Sequence, residues 1–243
     1  MKKIEIIIWI TIIIAVSASV FVYLRPEIIQ QLIFEYFTNQ VKIKDAEITY
    51  AEKPLKVNIT YPQIIGLPGF NQKVKEIISK EISNFKNNSL ANDQAIKETD
   101  PESYAEYPRE YELNISYTKG EVDKNIISVV FQEYNFEGGA HGATIFIPLN
   151  YNIKTGQEIK LADVFPGQSD YLQKISDSCI ADLTKQITKS LGSTDGTWIK
   201  DGAGPKEENF STFLINKDNI IFYFPQYQVA YYAAGDFQVT MPR

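Results

Sequence analysis

The side chains with the widest chemical reach in this 243-residue chain are one histidine, one cysteine and a cluster of aromatic residues near the C-terminus. His141 stands in Gly138-Gly139-Ala140-His141-Gly142. A catalytic zinc takes three protein ligands, and a Ser-His-Asp triad is a spatial set rather than a neighbourhood in sequence. No Asp or Glu spacing points to partners for His141, so no metal, cofactor or catalytic residue is assigned. Glycines at 138, 139 and 142 permit positive φ, and the segment reads as a turn with His141 packed or hydrogen-bonded at the start of a strand. Ligand contact is the alternative for His141. Tyr223, Phe224, Tyr227, Tyr231 and Tyr232 form the aromatic cluster. Tyrosine offers a flat face to a sugar ring and low-entropy contact area to a protein partner. Tyr223 and Phe224 alternate within a strand pattern; Tyr227, Tyr231 and Tyr232 lie beyond it and carry the binding hypothesis, or else brace the turn at Ala233-Ala234-Gly235. Glu133, Glu137, Asp163 and Asp236 are candidates for the carboxylate pair of a glycoside hydrolase, which needs a separation of ~5–10 Å. Asp163 and Asp236 suit capping or turn roles better. Cys179 lies on a helical apolar stripe and reads as a small core residue.

The elements that must position these residues follow from periodicity. Ile43, Ala46, Ile48 and Tyr50, then Leu55, Val57, Ile59 and Tyr61, predict two strands around Glu52-Lys53-Pro54. Asn71 is a candidate cap for a helix carrying Val74, Ile77, Ile78, Ile82 and Phe85. Residues 87–108 are polar and predict a long loop with at most a short helix. Strands are expected at 111–117, 126–134 and 143–153, a helical turn at 161–165, and a helix with Leu172, Ile175, Cys179, Leu183 and Ile187 on one face. Residues 192–205 are glycine-rich and read as loose. They lack the Lys-Ser/Thr ending of a phosphate loop. A hairpin over 213–224 and a strand over 237–241 close the chain. The expected class is α+β, with mainly antiparallel sheets each packed by a helix.

One segment sets the compartment. A charge-free run opens at Ile6 and closes at Leu24, behind Lys2 and Lys3. At ~1.5 Å per helical residue it reaches about 28 Å, the thickness of a bilayer's hydrocarbon core. A transmembrane signal anchor fits better than a cleaved signal peptide, whose apolar region is shorter. The charge bias places the N-terminus inside and the rest of the chain outside the cytoplasmic membrane, as a single-pass protein; secretion after cleavage is the alternative. Ile28, Ile29, Leu32, Ile33, Tyr36 and Phe37 predict a juxtamembrane amphipathic helix. The net charge is −6 over the whole chain and −8 beyond residue 25, because three cations (Lys2, Lys3, Arg25) leave with one anion (Glu5). Such a balance argues against nucleic acid, whose phosphates require Lys and Arg.

Three stretches carry a family resemblance: Tyr61-Pro62-Gln63-Ile64-Ile65-Gly66 before a helix; the Gly138 to Gly142 turn with Tyr151 to Phe165; and Phe222 to Gly235 closing on Val239-Thr240-Met241-Pro242. Together they resemble the paired extracellular domains of RsiV-type anti-sigma factors, a pair also found beside the catalytic domain of PdaC-type peptidoglycan deacetylases. The resemblance implies an organisation of 1–25 as anchor, 26–42 as juxtamembrane helix, 43–147 as a PdaC-type domain and 148–243 as an RsiV-type C-terminal domain. It implies structural roles for Gly138, Gly139, Gly142, Thr155, Gly156, Asp163, Pro225 and Gly235. It further implies a binding module, not an enzyme, whose ligand is wall peptidoglycan or a wall-directed protein such as lysozyme. Neither the sigma-binding segment nor the deacetylase domain is expected in this sequence. Alternatives are a wall hydrolase using a carboxylate pair, or a structural partner in an envelope complex.

Overall fold

The structure, a computed structural model, describes Arg25 and residues 41–243 apart from 108 and 194. The expected membrane run and nearly all of the juxtamembrane helix lie outside the described residues. Among the described residues no helix is long and apolar enough to cross a membrane.

Among the described residues nine strands form two sheets. Strands β1 (Ile43–Glu52), β2 (Leu55–Ile64), β3 (Tyr111–Val122), β4 (Ile126–Phe136), β5 (Ala143–Asn152) and β6 (Gln157–Glu158) lie in sequence order across the first. All neighbours pair antiparallel except β2 and β3, which run parallel. Parallel neighbours need a long crossover, and helices α1 (Pro68–Thr99) and α2 (Pro101–Glu106) supply it. The first sheet is therefore mixed. Strands β7 (Phe213–Ile215), β8 (Asn219–Phe224) and β9 (Phe237–Pro242) form a second, antiparallel sheet. It packs with α4 (Tyr171–Leu191) and α5 (Gly196–Ala203), after a helical turn α3 (Leu161–Val164).

Strand alternation decides the layers. Val57, Ile59, Leu113, Ile115, Val129 and Phe131 point to one face of the first sheet and pack with Phe70, Val74, Ile78 and Phe85 of α1. In the second sheet Phe213, Ile215, Phe222, Phe224 and Val239 face Ile175, Cys179, Leu183 and Ile187 of α4. Their alternates Leu214 and Tyr223 turn the other way and meet Val130 and Phe146 on the outer face of the first sheet. The order is helix, six-stranded sheet, three-stranded sheet, helix. A buried polar knot ties the two sheets. Ser128 Oγ donates to Asn150 Oδ1 at 2.6 Å and accepts from the Ile215 amide at 2.8 Å, while Asn150 Nδ2 donates to the Phe213 carbonyl at 3.0 Å. A division at 147/148 falls inside β5; the first sheet closes only at Glu158.

Three expectations need correction. Residues 87–99 continue α1 instead of forming a loop, because its inward stripe runs on through Ser89 and Asp93 after Phe85. Asp93 is satisfied there by the hydroxyls of Tyr104 and Tyr111. Residues 196–203 form α5, capped by Asp195 accepting from the Thr197 and Trp198 amides. Asn71 does not cap α1: it sits inside the helix and clamps β2 through both the amide and the carbonyl of Ile64.

Candidate functional site

His141, Tyr227 and Tyr232 come together, although 86 and 91 residues separate the histidine from the two tyrosines in the chain. Gly138 and Gly139 adopt φ of 106° and 95°, and so turn the β4–β5 connection out over the edge of the first sheet. His141 emerges exposed, its ring stacked on Tyr232 with centroids 3.7 Å apart and planes 21° from parallel. The Tyr232 hydroxyl donates to the Gly142 carbonyl at 2.7 Å, which fixes the tyrosine against the turn. Gly142 leaves room for nothing larger: a Cβ there would meet the Tyr134 ring at 2.5 Å. Tyr227 follows Tyr232 with centroids 5.6 Å apart. His141, Tyr232 and Tyr227 thus make one aromatic shelf, built from the β4–β5 and β8–β9 connections, with the Tyr134 ring of β4 packed at Gly142 beside it.

Tyr227 is the backbone anomaly of the shelf. Its φ is 71°, left-handed space that a bulky residue rarely enters. Three hydrogen bonds hold it there. Trp198 Nε1 donates to the Tyr227 carbonyl at 3.0 Å, and Gln228 Nε2 donates to the carbonyls of Gly202 and Asn209 at 2.8 and 2.9 Å. The side chain is 58 % exposed, so this strain serves no buried packing. Strain held in place by surrounding bonds is a mark of functional loops.

Tyr231 lies apart from the shelf. It is half-exposed over a separate cleft that it shares with Trp198, Ile187, Leu191 and Val229. The remaining motif residues take structural parts. Gly156 and Gly235 have φ of 69° and 81°. Thr155 Oγ1 accepts from the Gln157 amide, Asp163 accepts from the Lys160 amide at the start of α3, and the Pro225 carbonyl accepts from Gln228. Cys179 is fully buried, and burial pushes its thiol up to about 12.

Among the four candidate carboxylates, Glu133 alone stands in a perturbed setting. It is 2 % exposed on the inward face of β4, and its Oε2 has no partner. Burial, then the nearby Glu81 of α1, and more weakly Glu137, raise its pKa to about 7 against the bond donated by Asn135. This is a carboxylate pair, but one facing the core under α1. His141 touches no carboxylate; its Nδ1 lies 3.1 Å from the Gly142 carbonyl. Among the described residues no cluster of His, Cys, Asp or Glu fits a metal ion.

Tyr134, Trp198, Gln228 and Glu81 were not singled out from sequence. Glu81 carried a signal, since it occupies an inward position between Ile78 and Phe85 on the α1 stripe. Tyr134 and Trp198 carried none.

A four-layer α+β module with an aromatic shelf at the junction of its sheets defines the class. Residues 48–144 match the family model described as deacetylase PdaC, and residues 162–243 match that of a protein family of unknown function, DUF3298. The chain therefore carries a PdaC-type domain followed by a DUF3298 domain. It is 31 % identical over 189 residues to the peptidoglycan-N-acetylmuramic acid deacetylase PdaC of Bacillus subtilis, covering 76 % of this chain and 38 % of that protein. It is 28 % identical over 128 residues to an esterase of Mycobacterium tuberculosis, covering 52 % of this chain and 53 % of that one. The chain thus spans well under two thirds of either relative. A solved DUF3298-family protein from Bacteroides fragilis superimposes with a TM-score of 0.57 at 16 % identity, over 84 % of this chain and 91 % of that one. One from Pseudomonas aeruginosa gives 0.55 at 14 %, over 84 % and 90 %. These two show a shared fold.

Proposed function

We propose that this protein is an extracytoplasmic binding module of the cell wall, tethered to the cytoplasmic membrane by residues 6–24, and that its aromatic shelf takes wall glycan. The observation that carries this reading is the preorganised shelf in which His141 and Tyr227 stand exposed beside the half-buried Tyr232. Aromatic faces locked in place before binding lose little entropy when a ring stacks on them. The relative named a peptidoglycan deacetylase supports a wall location, as does the anchor-like run. A wall-directed protein such as lysozyme is the other ligand of this reading, since rigid tyrosines also anchor protein interfaces. The test is sedimentation of the full chain with insoluble peptidoglycan, with lysozyme offered in parallel. Replacing Tyr227 and Tyr232 together by alanine should weaken retention by roughly tenfold at unchanged melting temperature. Equal retention of wild type and variant refutes the shelf.

A second reading is hydrolysis, favoured by relatives named as a deacetylase and an esterase; the Glu133–Glu81 pair, though buried under α1, is its carboxylate candidate. It requires release of acetate from an N-acetylated glycan or cleavage of a simple ester by the full chain, lost in Glu133→Gln.

A further inference from the structure

The three-stranded sheet covers only part of the outer face of the six-stranded sheet. Ser128, Val130, Phe146 and Asn150 lie beneath it. Among the described residues the face over β1 to β4 stays open as a trough of about 500 Å³, within the size range of ligand sites. Its floor is an unbroken row in register. Thr49 pairs with Asn58, Asn58 with Asn114, Asn114 with Tyr134, and Tyr134 with Thr144. Five strands spaced ~4.8 Å apart make this row about 19 Å long. It runs directly into the shelf, because Tyr134 is the ring against which Gly142 packs.

The chemistry of the row is selective. A solvated sheet face in a chain with 22 % charged residues would carry lysines and glutamates; this floor carries amides and hydroxyls. Glu47 is the charged side chain lining the trough, and Lys56 and Glu112 at its end neutralise each other at 3.1 Å. Among the described residues no cation lines the trough to hold a phosphate or uronate polymer. Two of its amides are held to each other. Asn58 Nδ2 donates to Asn114 Oδ1 at 3.3 Å, and beside them Lys56 donates to the Glu112 carboxylate at 3.1 Å. Asn58 is half-buried, and among the described residues no donor reaches its Oδ1 acceptor. An amide N–H suits it, and Thr49 and Thr60 line the trough with it.

We propose that the trough is an extended subsite for a neutral, N-acylated glycan strand, which crosses β1 to β4 along the Thr49–Asn58–Asn114–Tyr134 row and stacks its last ring on the shelf. The proposal rests on the glycan reading of the shelf and adds length, neutrality and acylation as its selection rules.

The test is calorimetric titration of the full chain in detergent micelles with N-acetylglucosamine disaccharide, its tetrasaccharide, the fully de-acetylated tetrasaccharide and an anionic teichoic-acid polymer. The expected result is at least tenfold tighter binding of the N-acetylated tetrasaccharide than of the disaccharide, with the de-acetylated and anionic probes weaker than either. The Asn58→Ala/Asn114→Ala double variant should lose that gain with length and keep its disaccharide affinity within about twofold. If it fails to fold, Thr49→Trp, on the exposed edge strand, should fill the trough with the same effect. Binding by wild type with no gain from length, or a gain that survives both variants, overturns the trough and leaves the shelf standing. Equal affinity for the de-acetylated or anionic probe overturns the selection rule. Binding of neither N-acetylated probe by wild type overturns shelf and trough together.

Discussion

Replacing Glu133 by glutamine removes a charge that the fold holds at a cost. The native carboxyl titrates near pH 7, against about 4.5 for an ordinary glutamate. The folded protein therefore binds the proton more tightly than the unfolded chain does. Stability from this site is complete below pH ~4.5 and falls as pH rises to about 7, where the native group ionises. The difference of roughly 2.5 pH units corresponds to about 3 kcal/mol. Glutamine keeps the acceptor that Asn135 Nδ2 reaches at 2.9 Å and offers an amide toward Glu81, so it imitates the protonated acid. At roughly 2–4 °C per kcal/mol for a chain of this size, Glu133→Gln should melt about 6–12 °C above wild type at pH 8 and within a degree or two of it at pH 4.5. Circular dichroism melts between these limits read the difference directly. Curves that stay parallel across the range would refute the assignment, because the burden on Glu133 would then not be ionisation.

Three further outcomes follow from the geometry. Ser128→Ala leaves the buried Ile215 amide without its acceptor and should cost about 2–3 kcal/mol in urea unfolding; a loss under 1 kcal/mol would show that water replaces the hydroxyl. Gly202→Ala places a Cβ 1.9 Å from the Gln228 carbonyl, so it should destabilise by ~1–3 kcal/mol or more and shift Trp198 fluorescence as the Tyr227 loop moves; an unchanged melt would contradict the packing. Cys179, buried with its thiol pushed up to about 12, should resist a thiol reagent at pH 8 in the native protein and react fully in denaturant; native labelling within minutes would refute its placement.

Most of the strands were legible, because Val57, Ile59, Leu113, Ile115, Val129 and Phe131 sit where period-two alternation puts them. The second half of α1 was not. Its stripe passes from Phe85 to Ser89 and Asp93, and a helix face that buries polar residues looks like a loop to any apolar count. Nor was the parallel pairing of β2 and β3, since alternation gives the face of a strand and not its direction. The shelf was half legible. Glycines and tyrosines flagged His141, Tyr227 and Tyr232 separately, but Tyr134 reads as one more outward residue, and Tyr231, grouped by sequence, turns to another cleft. The trough left no trace at all in the sequence. Thr49, Asn58, Asn114, Tyr134 and Thr144 come from five strands, and only the register of the sheet brings them into one row.

The knot of Ser128, Asn150, Phe213 and Ile215 bears on how such proteins are inherited. Asn150 falls in the stretch between the two matched families, yet it binds the second sheet to the first. A recombination event that carried either family's segment alone would cut this tie, bare the apolar patch of Val130, Phe146, Leu214 and Tyr223, and split the shelf between two genes. The folding unit of this chain is therefore the two matched segments together with the stretch that joins them.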